Sequence, residues 1–135
     1  LISVYGERYY RQIEHQCLTE LLINDQPVVV AAGGGVVEHL QSHDLLLRCA
    51  LTVYLSASAE TLWTRVLDQG DNRPMSGRET ALAQLRLLLL RREPLYAKAQ
   101  IRLMTDGRLV TRLVSDLVEE IQLLRADRAQ LRQGQ

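Results

Sequence analysis

Residues 27–37 read Pro-Val-Val-Val-Ala-Ala-Gly-Gly-Gly-Val-Val, a β-branched run that stops at three consecutive glycines. No other stretch restricts the chain as strongly. The valines predict a buried strand. Gly33, Gly34 and Gly35 carry no Cβ, so the backbone there is open to conformations other residues avoid and a ligand can lie directly against its amides. Open parallel α/β sheets place their ligands at this carboxyl end of a strand. Taken alone, the same letters also describe a plain glycine turn between a strand and a helix.

What surrounds the run decides what kind of molecule can carry it. A chain of 135 residues, 47% of them hydrophobic, suffices for one core. Sixteen basic and sixteen acidic side chains cancel, which argues against a nucleic-acid or anionic-membrane surface in this segment. No apolar stretch approaches the roughly 20 residues of a bilayer span, and the start lacks a basic-then-apolar leader, so a soluble, cytoplasmic piece is expected. Cys17 and Cys49 sit in apolar patterns without CxxC or Cys/His spacing and are expected to be core thiols, with no structural metal. The opening Leu1-Ile2-Ser3-Val4-Tyr5-Gly6 enters a helical pattern without a linker, which reads as a chain cut within a domain.

Ahead of the glycines, Tyr10, Ile13, Cys17 and Leu21 recur at helical spacing and predict an amphipathic helix over residues 7–22. Its first turns hold Arg11, where amides and a basic side chain favour an anion. On spacing alone, Arg11 is equally a solvated arginine paired with Glu7 or Glu14. Residues 36–47 read as helix, with His39 and His43 as surface histidines rather than a zinc pair. Residues 51–55 form a second short strand, and Ser58 caps a helix reaching about residue 67 that carries Arg65 near its end. Residues 68–78, polar and punctuated by Gly and Pro, read as a mobile surface loop able to bring Arg73 over a phosphate. A leucine-dense helix follows, with Leu82, Leu85, Leu88 and Leu89 inward. Residues 101–104 make a third strand, 105–107 a turn, and Val110, Leu113, Val114, Leu117, Ile121 and Leu124 line a last helix. Residues 1–125 are read as the domain and 126–135 as a frayed polar tail. Alternating helices and strands imply a mostly parallel sheet covered on both faces, a three-layer α/β sandwich.

Four features now stand in fixed order: Gly-Glu-x-x-Tyr-Arg-x-x-Glu over residues 6–14, a run ending Gly-Gly-Gly, Arg73-Pro74, and Arg92-x-Pro94-Leu95-Tyr96. This order resembles the shikimate kinases, P-loop kinases of the nucleoside-monophosphate-kinase type. The likeness extends from residue 5 to roughly residue 120. It implies that Arg11, Gly33, Gly34, Gly35 and Arg92 bind shikimate, whose carboxylate and hydroxyls suit guanidinium forks and close amides. It implies a catalytic role for Arg73, stabilising charge on the transferring phosphoryl group. It places Arg65, and Arg108 at the 105–108 turn, beside the adenine ring of ATP. The implied reaction is phosphorylation of the shikimate 3-hydroxyl by ATP with Mg2+, a step of aromatic amino-acid biosynthesis.

The sequence also departs from that pattern. The phosphate-cradling G-x-x-x-x-G-K-[ST] run does not occur in it, so the N-terminal P-loop portion is expected to be missing and the segment alone to be inactive. Arg73-Pro74 is followed by Met75-Ser76, where the kinases usually carry two leucines. With Gln69-Gly70-Asp71 before it and Arg92-Glu93-Pro94-Leu95-Tyr96-Ala97 after it, this wording resembles a second group. These are the transcriptional regulators of benzoate catabolism, in which a helix-turn-helix domain precedes a shikimate-kinase-like domain that senses an aromatic acyl-CoA. In that reading the pocket holds an effector, and nothing in this segment is itself a DNA-reading helix.

Overall fold

The computed structural model describes residues 2–70 and 75–134, with side chains over 6–70 and 77–134. The chain divides into two compact units, each made of two separate segments. The first comprises Leu1–Thr52 and Leu88–Gln100, the second Val53–Leu87 and Ile101–Gln135. Arg73 and its Arg-Pro pair lie outside the described residues.

The first unit begins with α1, Ile2–Ile23, interrupted at Gly6, whose φ of 81° and ψ of 163° fit no L side chain comfortably. Regular helix therefore starts at Glu7, as the periodicity predicts. Its inward face does not follow the prediction. Leu18 is buried and Arg11, Glu14 and His15 are half-buried, whereas Cys17 and Leu21 are exposed. The helix turns its polar motif inward because three charged or imidazole groups there find partners, and an apolar face without a neighbour gains nothing from burial. Both cysteines are exposed and unpaired, so neither is the expected core thiol.

The valine run is the main correction. Residues 27–33 form no strand, and Val29 is fully exposed. A strand is stable only where its N–H and C=O groups meet a ladder, and no described strand pairs with this one. What survives is the turn. Gly34–Glu38 winds into a short 3-10 helix with Gly35, Val36 and Val37 buried. Val36 and Val37 pack with Leu18 as the unit's core, against which Leu45, Leu46, Leu95 and Tyr96 close. Helix α2, Leu40–Cys49, starts at His39, whose ring nitrogen Nδ1 accepts from the Ser42 amide at 3.3 Å. His43 is buried, against the expected surface position, because α2 turns it toward the core side together with Ser42.

In the second unit β1, Val53–Ser56, pairs in parallel with β2, Ile101–Met104, in the register Val53 to Ile101 through Ser56 to Met104. Ile101 and Leu103 alternate inward between the exposed Arg102 and Met104, a half-buried strand. A parallel pair needs a long connection, and α3, Ala59–Asp68, lies in it. Ser58 caps α3 as expected, its Oγ accepting from the Thr61 amide at 3.1 Å. Helix α4, Met75–Tyr96, supplies its first part to this unit and its last part to the first one. The leucines at 82, 85, 88 and 89 are half-buried, and Pro94 is accommodated inside its last turn. Helix α5, Val110–Gln133, buries Leu113, Leu117, Ile121 and Leu124 partly, while Val110 and Val114 are exposed. Residues 126–133, expected to fray, continue the helix, since Ala, Arg, Gln and Leu are good helix formers.

Candidate functional site

Three glycines with long polar side chains beside them define the site of the first unit. A Cβ on Gly33 would stand 3.7 Å from Glu14 Oε2, and one on Gly34 would stand 2.9 Å from the Tyr96 hydroxyl and 3.6 Å from Arg92 Nη1. A Cβ on Gly35 would collide with Arg11 Nη2 and stand 3.3 Å from Arg92 Nη2. Guanidinium groups from α1 and α4 thus meet at one bend. At Gly34 and Gly35 it is space, not a positive φ, that a side chain would lack, whereas Gly33 stands in ordinary contact with Glu14.

Each arginine is fixed by carboxylates. Arg11 Nη1 donates to Glu14 Oε1 at 2.8 Å, and its Nη2 lies 3.5 Å from Glu7 Oε1, both one helical turn away. The spacing-only reading of Arg11 therefore holds for its partners but not for its exposure, which is 14%. Its Nε is buried with no hydrogen-bond partner among the described residues. Burial opposes the Arg11 cation, but the Glu14 hydrogen bond and the charges of Glu14 and Glu7 hold its pKa above the ordinary value.

Arg92, 15% exposed, is gripped along one edge: Nε and Nη2 reach Glu38 Oε2 at 2.9 and 2.8 Å. The other Glu38 oxygen accepts from Arg91 Nε at 2.6 Å. The hydrogen bond from Arg91 and then that from Arg92 outweigh burial and hold the Glu38 carboxyl below its usual range. Burial works against the Arg92 cation, and Glu38 and Tyr96 more than offset it. Tyr96 also donates to the Gly34 carbonyl at 2.8 Å, which pins the turn to α4. An open groove of about 720 Å³ runs beside Arg11, lined by Arg8, Gln12, Glu38, His39, Gln41 and Arg91 among others.

The sequence reading placed no role on Glu38 or Tyr96. Tyr96 had a signal, four residues after Arg92 and so on the same helical face. Glu38 had none, because its partners are more than fifty positions away in the chain.

The second unit holds a separate cluster. Arg65 Nη2 donates to Thr105 Oγ1 at 3.0 Å, and the Thr105 hydroxyl donates to the Ser56 carbonyl at 3.0 Å. The Ser58 amide donates to Asp106 Oδ1 at 3.0 Å, and this bond, ahead of the others, holds the Asp106 carboxyl below its ordinary range. Gly107 turns the chain at a φ of 63°, and Arg108 forms an ion pair with Asp116. Arg65 is thereby anchored to the turn at residues 105–108, and Arg108, the last residue of that turn, to α5.

The family model described as Shikimate kinase matches residues 1–122. The chain belongs to the shikimate kinase family. Among shikimate kinases it is 36% identical over 116 residues to that of Thermus thermophilus, covering 86% of this chain and 62% of that protein. To the shikimate kinase of Symbiobacterium thermophilum it is 32% identical over 124 residues, covering 90% and 71%. The chain thus spans 62% of the length of its Thermus relative. The crystal structure of the shikimate kinase from Bacteroides thetaiotaomicron superposes with a TM-score of 0.76 at 23% identity, over 93% of this chain and 73% of that one. That likeness is one of fold, the α/β P-loop kinase fold with a parallel sheet. No described helix is long and apolar enough to cross a membrane.

Proposed function

We propose that this chain supplies the guest pocket of a kinase that phosphorylates the 3-hydroxyl of shikimate. One observation carries the reading: Arg11 and Arg92, from helices far apart in sequence, converge at Gly35. A carboxylate bridging two such groups gains charge-assisted hydrogen bonds from both, and the missing Cβ atoms at Gly34 and Gly35 let the guanidinium groups close onto the backbone. Arg11 and Arg92 bind the carboxylate, and Gly33, Gly34 and Gly35 receive the ring. Arg73 is assigned to charge stabilisation on the transferring phosphoryl group.

The cofactors implied by the family meet these residues unequally. ATP donates the phosphoryl group. Arg65, exposed and anchored through Thr105, presents a planar cation suited to lie against an adenine ring, with Arg108 on the same turn. The described residues include no group of three His, Cys, Asp or Glu side chains able to hold Mg2+, so no step is assigned to them through the metal. With no G-x-x-x-x-G-K-[ST] run in the sequence, residues 1–135 alone bind the guest without turning it over.

Calorimetric titration of the native full-length protein with shikimate tests the pocket. Arg11→Ala or Arg92→Ala should weaken binding at least a hundredfold, and unchanged affinity in either rejects it. ADP release dependent on shikimate is expected in the same protein. Binding of an aromatic acyl-CoA with no ADP release would instead establish an effector sensor on the same pocket.

A further inference from the structure

Two carboxylates that hold the paired arginines, Glu7 and Glu14, come from the motif that carries Arg11 itself. Glu38 does not. It ends the 3-10 helix after the glycine turn, and its two oxygens take Arg91 and Arg92 separately. With Arg92 gripped along its Nε and Nη2 edge, the remaining nitrogen, Nη1, lies over Gly34. Glu38 stands at the surface, its side chain 25% exposed, beside the groove that Arg8 and Arg91 also line.

Charges around the bend nearly cancel. Arg11, Arg91 and Arg92 oppose Glu7, Glu14 and Glu38, while Arg8 on the groove is matched by Glu93, the neighbour of Arg92 on α4. His39 also lines the groove, while Arg48 pairs with Asp44 and Lys98 acts on His43. Each negative charge that a guest brings therefore adds to a site that is already near neutral. A guest with two must place its second charge near a carboxylate that is already committed to Arg92.

We propose that Glu38 determines which anions the pocket accepts: it orients Arg92 over the glycine turn and sets the local charge so that monocarboxylates are taken and dianions are disfavoured. This deepens the functional reading above and rests on it only for the identity of the natural guest. It also gives a phosphorylated product, more highly charged than its precursor, a reason to leave the pocket. Glu38 is in this sense a positioning and selectivity residue. It accepts no proton and touches no transferring group.

The test uses the native full-length protein and two ring acids differing by one charge, benzoate and isophthalate, titrated by NMR alongside shikimate. Glu38→Gln, similar in shape, should move the isophthalate-to-benzoate affinity ratio about tenfold toward the dianion. Glu38→Asp keeps the charge and should leave the ratio within twofold of wild type while weakening both acids, because the shorter side chain cannot span both arginines. In the wild type, raising salt from low to high ionic strength should narrow the preference for benzoate. A ratio unchanged in Glu38→Gln, an equal shift in Glu38→Asp, or a wild-type preference indifferent to salt each overturns the proposal. Absence of shikimate binding in the wild type would remove the kinase reading while leaving the ratio to decide Glu38.

Discussion

In the first unit charged groups are drawn inward and Val28, Val29 and Val30 are left outside, whereas in the second the aliphatic residues of a strand alternate into the interior with Arg102 outside. Val29 is fully exposed while Arg11 is 14% exposed. Ile101 and Leu103 are buried while Arg102 is exposed. The second unit is organised by backbone pairing and helix caps. The first is organised by side-chain charge around a bend with no Cβ atoms. The lesson is that hydrophobic pattern places a segment only where the ladder that pattern presupposes has a partner, and that a paired ionic cluster can take the inward position instead.

Glycine substitutions separate the two units most sharply. Gly35→Ala adds a methyl where Arg11 Nη2 stands, so shikimate affinity should fall about a hundredfold, near 3 kcal/mol, by calorimetry. Gly107→Ala in the second unit meets open space but a φ of 63°, so denaturant melts should show about 1 kcal/mol of lost stability with guest affinity unchanged. Equal effects on affinity would erase the distinction. Glu14→Ala leaves a largely buried guanidinium short of its nearest partner and should cost about 2 kcal/mol of stability together with guest binding. Ser58→Ala, which removes the cap of α3, should cost about 1 kcal/mol and leave binding intact.

The smallest effect is a slope. Burial, then Lys98, push the His43 pKa down, with Asp44 pulling weakly the other way. The unfolded chain then binds the proton more tightly than the folded one. Stability present at alkaline pH is therefore lost as pH falls below about 6.5, the ordinary histidine value. His43→Gln should flatten that part of the stability profile. A profile that keeps its slope would mean that other groups of the first unit supply it.

Much of the site could be read from the residues because its elements are local motifs. Arg11 in Gly-Glu-x-x-Tyr-Arg, the glycine triplet, and Arg92 ahead of Pro94-Leu95-Tyr96 each announce themselves within a few positions, and the structure brings all of them to one bend. Ser58 and the turn at Gly107 were legible for the same reason. Three features were not. The strand expected at the valines depends on a neighbour that no local pattern reveals. The inward rotation of α1 depends on charges finding partners, which hydrophobic periodicity does not register. Glu38 depends on two arginines more than fifty residues away.

Each unit draws on two stretches of chain, and this orders events during synthesis. A nascent polypeptide ending at residue 87 already contains Arg11, the glycine triplet and Glu38, yet it lacks Leu88–Gln100 and with it Arg92 and Tyr96. The bend with both of its arginines is therefore completed only after α3 and the first part of α4 have been synthesised. Until then the turn is one guanidinium short and has no tyrosine hydroxyl to latch the Gly34 carbonyl.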